Sequence, residues 1–144
     1  MTDPDRNELR LQMTSDPAEI AGLRHRAEAF AAAQGFDECA VGEIGLVLNE
    51  AIANVIRHAY GNAPGRPIEV RLHATAHAMH VELRDYGNGK IPDLEKEKTE
   101  LLVPGGLGLP CMKQMMGDVR FEKQPDGMLL RMTKPRRLNE SGKN

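Results

Sequence analysis

Hydrophobic residues in this chain keep two different spacings, and the order in which those spacings alternate leaves few folds open. Leu9, Leu11 and Met13 alternate with Glu8, Arg10 and Gln12, the period of a half-buried strand. Ile20, Leu23, Ala27 and Phe30 then recur at helical spacing. Asp16 can cap that helix, Pro17 has the fixed φ of a first helical residue, and Glu19 can reach back as in a capping box. The pattern stops near Gln34-Gly35. A longer helix follows Asp37, with Val41, Ile44, Leu48, Ile52, Val55 and Ile56 recurring until Tyr60-Gly61-Asn62. Period two returns in Ile68-Val70-Leu72 and Met79-Val81-Leu83, a hairpin pattern. A short helix is expected from Leu109 to Met116. Val119 and Phe121, then Met128, Leu130 and Met132, flank the turn Gln124-Pro125-Asp126-Gly127 as a closing hairpin. The order βααββαββ predicts an α+β two-layer sandwich, a mostly antiparallel sheet with its helices on one face.

The 144 residues suit a single domain, with an ordered core over about residues 8–134 and a polar C-terminal tail over 135–144. Aromatic residues make up 3% and Trp is missing, so the core must be built from Leu, Ile, Val, Met and Ala. That scarcity also speaks against single-stranded nucleic acid, which needs aromatic stacking platforms. A formal net charge of −2 indicates no polyanion partner, and the basic run Lys134-Pro135-Arg136-Arg137 is expected to open the solvated tail. The first residues are acidic and lack the basic-then-apolar order of a secretion signal. No uninterrupted apolar run approaches the roughly 20 residues of a membrane span, so a cytoplasmic protein without membrane contact is expected. Cys39 and Cys111 read as reduced, structural thiols. His73, His77 and His80 fall on the outward face and turn of the first hairpin, with no carboxylate or Cys completing a metal set.

Three segments carry chemistry. Glu50 and Asn54 stand four residues apart on one helix, hence about 5–6 Å apart at Cβ on a shared face. An amide oxygen is a hard neutral donor suited to Mg²⁺, and a carboxylate beside it can support a metal or take a proton. Asp85-Tyr86-Gly87-Asn88-Gly89 follows a strand, and Gly105-Gly106-Leu107-Gly108-Leu109 precedes a helix. Glycines let backbone approach a base or phosphates closely, and a helix start offers unpaired N–H groups to phosphate oxygens. Between them Lys90 to Pro104 is charged and aperiodic, the pattern of a lid. Taken singly, each segment also has a plain reading: a polar helix stripe, a β-turn, a helix N-terminus. The P-loop and the third glycine of a dinucleotide fingerprint are missing, as are the His-Arg-Asp and Asp-Phe-Gly marks of eukaryotic-type kinases.

Together, and in this order, the segments resemble the three boxes of the GHKL or Bergerat ATP-binding domain shared by gyrase B, histidine kinases and MutL. Within it the chain is most similar to the small anti-sigma-factor serine kinases of the RsbW and SpoIIAB kind, from about Arg10 to Lys134. Glu50 to Gly61, with its His-Ala-Tyr-Gly ending, looks like the N box; Asp85 to Gly89 like the G1 box; Gly106 to Leu109 like the G2 box. The resemblance implies ATP and Mg²⁺ as cofactors, with Asn54 on Mg²⁺ and Glu50 as general base toward an incoming serine. It implies Asp85 on the adenine amino group, and Gly87, Gly89, Gly105, Gly106, Leu107, Gly108 and Leu109 around the nucleotide. It further implies an anti-sigma-factor antagonist as phospho-acceptor and a sigma factor as second partner, no direct nucleic-acid contact, and leaves a homodimer open. The helix carrying Arg24, His25 and Arg26 becomes a docking edge on the same ground. Leu109-Pro110 is also similar to related switch kinases that activate a phosphatase, and a non-catalytic ATP-gated binding module is the other alternative.

Overall fold

The structure, a computed structural model, describes residues 7–89 and 109–137. Its elements follow the expected order: β1 (Glu8–Thr14), α1 (Ile20–Ala33), α2 (Glu38–Asn54), β2 (Pro67–Ala74), β3 (Ala78–Asp85), α3 (Leu109–Met116), β4 (Asp118–Gln124) and β5 (Gly127–Pro135). All five strands are antiparallel and lie in the order β1-β2-β3-β5-β4, which makes β3 the central strand.

Register explains how alternation becomes a core. Leu11, Val70, Leu83, Leu130 and Phe121 stand opposite one another in a row across the five strands, and Leu9, Leu72, Val81, Met132 and Val119 form the next row. A slip of one residue would turn each row to water. Ile44, Leu48 and Ile52 of α2 are fully buried in the same cluster, with Met112 and Met116 of α3. Methionines fill the volume that aromatic rings take in other cores. The opposite sheet face stays polar and pairs its own charges: Arg71 with Glu8 and Glu82, and Arg131 with Glu82 and Glu122, all at 3.0–3.5 Å.

Asp37 caps α2, accepting from Ala40 N at 2.8 Å, while Asp16 caps the turn ahead of α1, accepting from Ala18 N at 3.0 Å. The capping box does not form. Pro17–Glu19 closes as a 3₁₀ turn, so Glu19 swings past Asp16 and takes the N–H and hydroxyl of Thr14 at 3.0 and 2.6 Å. Those two bonds hold the Glu19 carboxyl below its ordinary pKa.

By length and composition Glu38–Ala59 could cross a membrane once its few charges are tolerated, but half of it is buried inside the protein, as befits a core helix. Two further expectations change, for Cys39 and for residues 135–137. Cys39 is exposed at the start of α2 and is not a packing thiol, while Cys111 is half-buried; both are free. Residues 135 to 137 do not begin a solvated tail. Lys134 is 6% exposed, its Nζ 2.7 Å from Glu43 Oε1 and donating to Met115 O at 2.6 Å. Arg136 stacks on the Phe36 ring and donates to Thr75 O, and Arg137 reaches Asp37 and Glu43. The acidic first turns of α2 attract these cations, and the ammonium also satisfies a carbonyl of the last turn of α3. Lys134→Ala should therefore cost about 2 kcal/mol, the loss of a buried charged hydrogen bond. A urea midpoint equal to that of the unmodified protein, at equal m-value, would refute that role for the ammonium.

Candidate functional site

The helix that carries Glu50 and Asn54 ends in an unusual way. Beyond Asn54 the chain runs on as a π-helical turn, Val55–Ala59, with Tyr60 N bonded to Val55 O at 3.0 Å and Asn62 N to Ile56 O at 2.8 Å. A π turn widens the helix and leaves carbonyls near its end without their usual partners. One of them, Ala59 O, accepts from Asn88 N at 3.2 Å. The turn after β3 thus caps the end of the helix after α2.

That seat demands glycine. A Cβ on Gly87 would lie 2.4 Å from Ala59 O and 2.8 Å from Ala59 C, whereas at Gly89 the same helix end is 3.5 Å away. Tyr60 fastens the junction from the other side, its hydroxyl accepting from Tyr86 N at 2.8 Å and donating to Pro67 O. Burial raises the Tyr60 hydroxyl above its ordinary pKa, so it stays a neutral donor and acceptor. Arg66 lies over the Tyr60 ring and donates to Tyr86 O at 3.2 Å.

Asp85 is the last residue of central β3, paired with Ile68 on one side and Met128 on the other, and 3% exposed. Its Oδ1 accepts from Gly87 N at 2.9 Å, and Oδ2 accepts no hydrogen bond among the described residues. A buried carboxylate with one oxygen to spare, at the rim of a glycine turn, can receive a polar edge of a ligand. Behind it stands Gly127 at the start of β5. A Cβ there would meet Asp85 O at 1.9 Å and Tyr86 Cα at 2.7 Å. Lys123 donates to Gly89 O at 2.9 Å.

On α2, Glu50 is half-buried and makes no hydrogen bond or ion pair among the described residues. Asn54, also half-buried, accepts from Arg57 Nη2 at 2.7 Å through Oδ1. Next to Glu50, Asn49 accepts from Arg24 Nη1 at 3.0 Å, so Arg24 ties α1 to α2. His73 and His80 face each other across β2 and β3 with rings 6.2 Å apart, on the polar face away from this site.

The structure therefore assembles the Glu50–Asn54 helix and the Asp85–Gly89 turn through Ala59 and Tyr60. Of the second glycine segment, Gly105, Gly106, Leu107 and Gly108 lie outside the described residues, as does the expected lid; Leu109 opens α3. Reading by spacing missed Tyr60 and Gly127 as supports. The signal for Tyr60 was a lone tyrosine at a helix end beside Gly61, and for Gly127 a glycine whose hairpin turn already explained it.

The sandwich thus carries a carboxylate and a carboxamide on its core helix, whose end is clamped to a glycine turn at the end of the central strand. Residues 13–134 match the family described as histidine kinase-like ATPase domain, and the chain belongs to that family. It is 30% identical over 125 residues to an anti-sigma F factor of Geobacillus stearothermophilus, covering 83% of this chain and 85% of that protein. Identity is 29% over 136 residues to an anti-sigma F factor of Bacillus licheniformis, covering 90% and 92%. A serine-protein kinase RsbW of Listeria innocua is 27% identical over 139 residues, covering 89% and 87%. Among solved structures, that of the RsbU and RsbW domains of a Mycobacterium tuberculosis protein superposes with a TM-score of 0.63 at 15% identity. This chain is matched over 90% of its length and spans 33% of that longer one, a likeness of fold alone.

Proposed function

We propose that this protein is an ATP-dependent serine protein kinase of the anti-sigma-factor type, cytoplasmic, which phosphorylates an anti-sigma-factor antagonist and in another state binds a sigma factor. The reading is carried by one observation, the seating of the Asp85–Gly89 turn on the end of the helix that bears Glu50 and Asn54. The names of the relatives, anti-sigma F factor and serine-protein kinase, support the choice of partners.

The residues fit a nucleotide and a divalent cation. Asn54 Oδ1 is the hard oxygen that would hold Mg²⁺, whose part when bound is to neutralise charge on the phosphates. Glu50, which makes no hydrogen bond or ion pair among the described residues, takes the proton of the incoming serine hydroxyl as general base. Asp85 Oδ2 accepts from the exocyclic amino group of adenine, while Gly87 and Gly89 bring backbone close to the base. The glycine segment that precedes α3 in sequence, Gly105, Gly106, Leu107, Gly108 and Leu109, would supply backbone N–H groups to the phosphates.

The test is calorimetric titration with ATP and with GTP in Mg²⁺. ATP should bind more tightly, because guanine presents an oxygen where adenine presents the amino donor. Asp85→Asn should reverse or erase that preference, since Gly87 N keeps the carboxamide oxygen and leaves the NH₂ donor facing the base. Equal affinity of the unmodified protein for both nucleotides would remove the role given to Asp85, and binding of neither would remove the reading as a whole.

A further inference from the structure

Arg57 stands three residues after Asn54, within the π turn, and is exposed. Among the described residues it makes no ion pair; its one hydrogen bond goes to Asn54 Oδ1 at 2.7 Å. That distance is at the short end of the N–H···O range, as for a charged donor. So a full positive charge without a carboxylate partner rests on the neutral oxygen that the proposed function assigns to a divalent cation.

We propose that Arg57 is a positioning residue that occupies the Asn54 oxygen until a divalent cation displaces it, so that guanidinium and metal are alternative occupants of one ligand. The proposal rests on the nucleotide reading above. Its logic is electrostatic and geometric. A carboxamide oxygen has two lone pairs, but with Mg²⁺ at 2.0–2.1 Å on one and the guanidinium on the other, the two cations would stand about 4 Å apart. Like charges at that range repel even where solvent screens them. Arg57 must therefore leave Asn54 for the metal to settle, and its long exposed side chain can swing into water. While bound, it keeps the carboxamide oxygen turned to one side, because the donor can pair only with the oxygen and not with the NH₂ group. The arrangement orders the ligand in the metal-free protein and raises the Mg²⁺ concentration needed to fill the site.

The experiment uses ADP, so that no phosphate is transferred, and follows its binding calorimetrically as Mg²⁺ is raised from zero. In Arg57→Gln the Mg²⁺ concentration at half-maximal enhancement of ADP binding should fall about three- to tenfold, the range of one exposed charged hydrogen bond and its repulsion. Arg57→Ala should do the same, which separates loss of the cation from a new contact made by Gln. In an Asn54→Ala background the Arg57→Gln change should have no effect on what Mg²⁺ dependence remains, an outcome that a merely structural role of Arg57 would not produce. An unchanged or higher Mg²⁺ requirement in both Arg57 variants, with Mg²⁺-dependent binding intact in the unmodified protein, overturns this inference and leaves the proposed function standing. Absence of any Mg²⁺ effect on ADP binding in the unmodified protein overturns both.

Discussion

Glu50→Ala should lower phosphoryl transfer to an antagonist protein by about 10²–10⁴-fold, the usual worth of a positioned general base, while ATP affinity stays as it was. The separation follows from what Glu50 touches. No hydrogen bond or ion pair among the described residues depends on it, so its removal breaks no tie in the fold. It sits one helical turn before Asn54 on the same helix face, beside the residue proposed to hold the metal. Asn54→Ala offers the contrast, because loss of the amide oxygen should weaken Mg²⁺-dependent nucleotide binding as well as transfer. The two readouts are calorimetry with ATP and incorporation of labelled phosphate into a serine of the acceptor. Transfer at the native rate by Glu50→Ala would end the general-base assignment, and label on a histidine of this chain would point to histidine-kinase chemistry.

Gly127→Ala should be the most damaging single-methyl change at the site, costing about 3 kcal/mol, the upper end for overpacking a tight position. The added Cβ would fall 1.9 Å from Asp85 O and 2.7 Å from Tyr86 Cα. Both are backbone atoms, so no rotamer change relieves the clash, and the turn that holds Asp85 must move. Gly127 also has φ near +156°, where a side chain adds strain of its own. Stability and nucleotide affinity should therefore fall together, even though Gly127 lies on a different hairpin from every proposed ligand. Chemical denaturation and ATP titration of the same variant check this. A variant of native stability, or one that loses stability yet binds ATP unchanged, would show that Gly127 does not hold the Asp85 turn.

Much of this protein follows from the sequence by itself. Alternation in β1, β2, β3, β4 and β5 and the 3.6-residue spacing in α1 and α2 set element type and order, because the sheet has one buried face and α2 lies in the core. The pairing of Glu50 with Asn54 needed only helical geometry. Asp37 was legible as a cap because its side chain bonds an N–H three residues away. Tertiary structure decided the rest. The capping box was displaced when Pro17–Glu19 tightened to 3₁₀ and left Thr14 within reach of Glu19. Lys134, Arg136 and Arg137 looked like a solvated tail because their partners, Glu43, Phe36 and Asp37, lie about a hundred residues away in sequence. The same holds for the site. Local pattern marked Asp85 and Gly87 as a turn, but only the folded chain brings that turn onto Ala59 O, threads Tyr60 between Pro67 and Tyr86, and sets Gly127 behind Asp85. Periodicity reports which face a residue turns to the core, and it carries no information on which distant backbone atom that face will meet.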